Sequence, residues 1–187
     1  AVTITGGSGN DAITLTGSAT ATDTVNSGAG DDTITFTTDL ANADVVDGGT
    51  GTDTLVGTTA NLTSLTTANN LSNIDVIQTS DLLTGTLTVA NVDSGIKSVT
   101  IAGAHTGVVT FGAGTNTLKM AAAIVTSGGD GITVNDTGLA TNDVLNLNMV
   151  NTLDVFAGET IAINGFETVN INTGTYSTDD QDVDTLN

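Results

Sequence analysis

Short apolar runs alternate with polar residues along most of this chain, and each run closes on Gly, Asn, Asp or Thr. Ala12-Ile13-Thr14-Leu15 and Thr33-Ile34-Thr35-Phe36 show the period of two that marks a strand with one buried face. In the first third the strands come in pairs, centred on Val25 and Ile34 and then on Val46 and Leu55. Nine residues separate the members of each pair, and twelve separate Ile34 from Val46. One unit of about 21 residues therefore reads as one coil, with a tight turn on one side and a looser one on the other. Further strands are expected at 74–77, 87–89, 96–101, 108–111, 116–120, 132–134, 144–147, 153–156, 161–163 and 166–171. Residues 61–68 read as a helical turn or a loop. The pattern predicts an all-β chain, a right-handed parallel β-helix or β-roll solenoid of roughly nine coils at ~20 residues each. Alternation alone does not fix topology, so an N-terminal β-roll (1–57) joined to a C-terminal β-sandwich (58–187) is the alternative. The preferred division is one continuous domain, regular over 1–57 and less regular over 58–187.

The tight turns share a phrase. GGSGNDAIT runs from Gly6 to Thr14, SGAGDDTIT from Ser27 to Thr35, and GGTGTDTLV from Gly48 to Val56. Glycine tolerates backbone angles that a Cβ forbids, so such a turn can aim carbonyl oxygens inward. The Asp adds a carboxylate, and the aliphatic residue two places later anchors the next strand. This pattern, G-G-x-G-x-D-x-U-x with U a large aliphatic residue, is a calcium-binding β-helix repeat. Calcium takes 6–8 oxygens, more than one turn supplies, so ions are expected between stacked turns. Three turns imply about two ions or more. The expected ligands are Asp11, Asp32 and Asp53, with the turn glycines Gly7, Gly9, Gly28, Gly30, Gly49 and Gly51. Asp23, Asp31, Asp44 and Asp47 are weaker candidates. Without metal, carboxylates at one-coil spacing repel, so binding is expected to be coupled to folding.

Composition sharpens this. The chain carries 21 acidic residues against 2 Lys and no Arg, a formal net charge of −19. Such a surface repels phosphate, which argues against nucleic acid and anionic membranes as partners, and oxygen-rich acidic sites favour hard cations. There is no Cys, so neither disulfides nor thiolate metal sites exist. No apolar run reaches the ~18 residues of a membrane span, and the first residues lack the basic and apolar regions of a signal peptide.

The three phrases resemble the RTX (repeats-in-toxin) nonapeptide family of secreted bacterial proteins. That resemblance covers about residues 6–56 and implies a calcium-filled β-roll, export through a type I secretion system and folding outside the cell. The family's coils are 18 residues long; the additional residues here, Thr37 to Ala43, argue against metal sites on the far side. Thr52-Asp53-Thr54-Leu55, Leu71 to Ile77 and Ile163 to Ile171 are similar to repeats in RTX-containing S-layer and large adhesin proteins. The resemblance implies a non-enzymatic, calcium-dependent extracellular structural protein: a self-assembling S-layer, sheath or filament subunit, or a piece of one. The alternative it leaves open is a calcium-stiffened adhesin module that binds a surface glycan or receptor. Expected partners are copies of the same chain, calcium and possible cell-surface polysaccharide, at the surface of a bacterium.

Other motifs add little. Phe111 to Leu118 repeats the phrase with Asn116 in place of the Asp, keeping the turn and removing the charge. Ser127 to Ile132 and Asn142-Asp143 read as ordinary, solvated turns. The acidic tail Asp179 to Asp184 reads either as a disordered end or as the entry to another unit. His105 is the only His and reads as an exposed loop residue, so no catalytic triad or His-rich site can be assembled. Aromatics are 3% with no Trp, which disfavours a glycan-cleaving site, and no Lys-Ser/Thr follows the glycines as in a nucleotide loop.

Overall fold

Alternation becomes rungs in the three-dimensional structure, a computed structural model that describes residues 1–17, 21–67, 69–102, 104–121, 131–149 and 160–172. The expected strand at 153–156, the turn at 127–130 and the tail 179–184 lie outside those residues. The chain is a parallel β-solenoid that divides into two units, 1–80 with 89–96, and 81–88 with 97–187.

In the first unit the strands are β1 (Thr3–Gly7), β2 (Ala12–Leu15), β3 (Thr24–Gly28), β4 (Thr33–Phe36), β5 (Val45–Asp47), β6 (Thr54–Gly57), β7 (Asn70–Ser72) and β8 (Val76–Thr79). Odd strands stack in the order β1-β3-β5-β7 and even strands in the order β2-β4-β6-β8, every pair parallel. The register is that of the sequence repeat: Ile4 lies on Val25 and Val25 on Val46, while Ile13 lies on Ile34, Ile34 on Leu55 and Leu55 on Ile77. Ile34, Val46, Leu55 and Ile77 are completely buried, so each column is a continuous apolar stack. The fourth coil is longer. Helix α1 (Thr59–Ser64) precedes β7, with Thr58 as N-cap accepting from Asn61 N at 3.4 Å. Its Leu62 is buried, and Asn61 Nδ2 donates to Leu40 O at 3.1 Å. Strand β7 was not expected, because Asn70-Leu71-Ser72 has a single apolar residue and no alternation to read.

In the second unit the strands are β9 (Leu83–Thr88), β10 (Ser98–Ile101), β11 (Ala104–Phe111), β12 (Thr115–Met120), β13 (Gly131–Asp136), β14 (Val144–Met149), β15 (Thr160–Asn164) and β16 (Thr168–Asn172). They stack as β9-β11-β13-β15 and β10-β12-β14-β16, again all parallel. Parallel pairing excludes the β-sandwich alternative, whose sheets are antiparallel. Leu118 lies on Leu147, and Met120 on Met149, all buried. His105 lies in β11, a strand and not the expected loop. Among the described residues the coils are fewer than nine, because those of the second unit lengthen: Gly114 and Asp143 occupy equivalent positions 29 residues apart.

Candidate functional site

The acidic residues of the coils stand in columns, because each sits at the same step before a strand. Asp11, Asp32, Asp53 and Asp75 directly precede β2, β4, β6 and β8. At that step the backbone N–H faces the neighbouring coil and needs an acceptor. The carboxylates of Asp32, Asp53 and Asp75 each supply one for the coil before it. Asp32 Oδ1 accepts from Asp11 N at 2.8 Å, Asp53 Oδ1 from Asp32 N at 2.9 Å, and Asp75 Oδ2 from Asp53 N at 2.9 Å. Hydrogen bonds to ionised acceptors are roughly twice as strong as neutral ones, so the column stitches coil to coil.

The glycines shape the turn before that column. Gly28, Gly30, Gly49 and Gly51 all have positive φ. A Cβ at Gly49 would overlap the carbonyl of Gly28, and one at Gly51 the carbonyl of Gly30. Stacked turns therefore approach through bare backbone. Gly7 O accepts from Ala29 N and Gly28 O from Thr50 N, each at 3.0 Å. Those carbonyls thus meet the next coil's N–H groups, and each keeps a second lone pair. In the first phrase neither Gly7 nor Gly9 has positive φ, and Gly7 N donates to Asp11 Oδ2 at 2.9 Å.

The weaker candidates fall in two places. Asp31 is exposed beside the main column, where its Oδ1 accepts from Thr52 N at 2.8 Å while its own N–H donates to Asn10 Oδ1 at 2.9 Å. Asp47 ends β5 at the mouth of the third phrase turn, accepting from Gly49 N and from Asn73 Nδ2. Asp23 and Asp44 are not with them. They precede β3 and β5, at the far end of those strands from the phrase turns. There they form a column of their own, Asp23 Oδ1 accepting from Val2 N at 2.6 Å and Asp44 Oδ1 from Asp23 N at 2.9 Å.

The glycine phrase does not point to Asp75, Asp143 or Glu167, which the structure adds. In the second unit Asp143 Oδ1 accepts from Gly114 N at 2.5 Å, and Glu167 Oε2 accepts from Asp143 N at 2.7 Å. Asp143 is completely buried, not part of a solvated turn. The signal is present as an acid two residues before an aliphatic: Asp75-Val76-Ile77, Asp143-Val144-Leu145 and Glu167-Thr168-Val169 repeat Asp32-Thr33-Ile34 without the full set of glycines, only Glu167 keeping one, Gly165, two places before it. The same register moves Asn116 out of the Asp position. Gly114 lies opposite Asp143, and Asn116 lies opposite Leu145 with its side chain buried. Its Nδ2 donates to Gly112 O at 2.8 Å, so the side chain amide supplies the donor to that turn.

Whether the residues fit a hard cation turns on their unused oxygens. Asp32 Oδ2 and Asp53 Oδ2 are buried and without a hydrogen-bond partner. They occupy successive rungs, which parallel strands space at ~4.8 Å. Burial pushes the Asp53 carboxyl up, the charges of Asp32, Asp75 and Asp31 add to that, and the hydrogen bond from Asp32 N opposes it. An ionised carboxylate in that position calls for a positive charge. Among the described residues no three carboxylate, imidazole or thiolate side chains gather into a ready metal-binding group. The acids form a line, one per coil, so a cation there would draw further oxygens from backbone or water. Asp32 and Asp53 fit such an ion best; Asp11 already uses Oδ2 within its own turn. Comparison with family models, curated proteins and solved structures finds no match to the chain.

Proposed function

We propose that this chain is a non-enzymatic, calcium-stiffened extracellular structural protein, a subunit or piece of a surface layer, sheath or filament. The observation that carries the reading is the pair of buried, partnerless carboxylate oxygens at Asp32 and Asp53, in successive phrase turns of a chain with net charge −19. Bound calcium would supply the positive charge that cancels repulsion between successive coils, and Asp32 and Asp53 would hold it. Asp11, the turn glycines, Asp31 and Asp47 shape and complete that side of the coil. Stacked parallel strands then form a stiff element suited to tiling with further copies. Secretion through a type I system and assembly only outside the cell, where calcium is plentiful, belong to the same reading.

Thermal unfolding of the full chain in calcium and in chelator tests the metal. Calcium at about 100 times its Kd stabilises by ~2.7 kcal/mol per site. Asp32→Asn with Asp53→Asn removes most of that gain, and a double variant with an undiminished response would sink the reading. Electron microscopy with and without chelator tests the assembly. Ordered lattices or fibres that disperse in chelator support a structural subunit, while monomers that bind a glycan support a calcium-stiffened adhesin.

A further inference from the structure

On the far side of the coils, away from the phrase turns, Asp39 is 1% exposed, and neither of its carboxylate oxygens has a hydrogen-bond partner. Among the described residues it is the one carboxylate left so at both oxygens. It lies in the connection from β4 to β5 and converges with Asp23 on Gly17. A Cβ added at Gly17 would overlap Asp39 Oδ2 and stand 3.7 Å from Asp23 Oδ2. Asp23 is 4% exposed. Its Oδ1 is taken by Val2 N at 2.6 Å, with the Ala1 amino group 3.7 Å away, which leaves Oδ2 as the oxygen facing Gly17. Asp44, next in this column, spends its oxygens on Asp23 N and Ala41 N.

We propose that Asp39 and Asp23 form a divalent-cation site over Gly17, distinct from the phrase turns. Two buried carboxylates present two negative charges, and beyond the Ala1 amino group beside Asp23 Oδ1 the unit formed by 1–80 and 89–96 has no Lys, Arg or His to offset them. A buried ionised carboxylate without donors is strongly unfavourable, and its two remedies are a proton or a cation. Asp39 offers two oxygens and Asp23 one, an all-oxygen set that suits a hard ion such as calcium, whose remaining ligands are backbone carbonyls or water. Glycine at position 17 keeps open the space that a side chain would fill. The site uses the residues that lengthen the coil beyond the RTX pattern, and it does not depend on metal at Asp32 and Asp53.

The test is calcium stoichiometry by isothermal titration calorimetry on the full chain, comparing the unaltered protein, Asp39→Asn, and Asp32→Asn with Asp53→Asn. Asp39→Asn lowers the number of bound ions by one, and the phrase-turn double variant keeps the ion that Asp39→Asn loses. An unchanged stoichiometry in Asp39→Asn overturns the proposal. Terbium-soaked crystals of the unaltered chain decide the matter if Asp39→Asn does not fold. An anomalous peak between Asp39 and Asp23 supports the site, and its absence overturns it whatever is found at Asp32 and Asp53.

Discussion

The phrase-bearing coils and the coils around Asp143 solve one structural problem with different parts. In the first, turns of nearly constant length stack with a 21-residue step, glycines at positive φ bring backbone against backbone, and the acid closes the turn. In the second, steps of 29 and 24 residues lead to Asp143 and Glu167, which accept the same kind of inter-coil N–H. Asp143 does so with no glycine two places before it, whereas Gly165, at φ +88, precedes Glu167 as Gly30 precedes Asp32. Stitching by a carboxylate is therefore separable from the glycine turn. The glycines set how tightly the turn closes, and the acid satisfies the donor that every coil leaves at the strand entry.

The largest expected effect breaks the glycine half of this comparison. Gly49→Ala forces a Cβ into the Gly28 carbonyl at φ +87, whereas Gly85 in β9 has φ +84 with nothing within 4 Å of an added Cβ. Gly85→Ala should cost only the left-handed strain, ~1–2 kcal/mol, and Gly49→Ala ~3 kcal/mol or more, because the backbone of two coils must part. Urea unfolding in chelator measures both. Equal losses would mean that the stacked turns give way freely and that close approach is not what the phrase provides.

The acid half gives a smaller effect. Asp53→Ala leaves Asp32 N unpaired, and Asp143→Ala leaves Gly114 N unpaired, at ~1–3 kcal/mol each in chelator. The two losses should be alike without calcium. Asp143 Oδ2 is buried and without a hydrogen-bond partner, as Asp53 Oδ2 is, so what separates them is the glycine turn. With calcium added, the loss should grow at Asp53, which has one, and stay the same at Asp143, which has none. A calcium-dependent loss at Asp143 would erase the distinction between the regions.

The smallest effect is a pH dependence. Burial pushes the Asp136 carboxyl up from its ordinary value, the neighbouring Asp143 and Glu167 add to this, and the hydrogen bond from Gly138 N opposes it. With the folded-state value above the unfolded one, the stabilisation is fully present below the ordinary carboxylate pKa and is lost as pH rises through the raised value. Asp136→Asn should flatten that part of the stability curve and leave the chain slightly more stable at neutral pH in chelator. A slope unchanged in Asp136→Asn would assign it to other carboxylates.

Much of the coil is legible in the residue pattern alone. Alternation locates most strands of both units, because a strand packed on one face must repeat every two residues. Strand β7 shows where that signal ends, since its pairing to β5 is imposed by the coil and not by its own residues. The candidate site is legible in part. Asp11, Asp32 and Asp53 stand out through their glycines, whereas Asp143, which has none two places before it, and Glu167, which keeps Gly165 alone, do not.

Local pattern by itself determined the strand content, the step of the first coils, the acidic charge and the residues of the phrase turns. These follow from periodicity and residue chemistry, which are properties of near neighbours in the chain. The tertiary structure alone decided between a parallel stack and a sandwich for the described strands beyond residue 58. It alone decided that Asp23 and Asp44 stand at the opposite end of the strands from Asp32 and Asp53, and that Asp39 meets Asp23 over Gly17. Those relations join residues about one coil apart, and only the stacking register fixes which of them face each other.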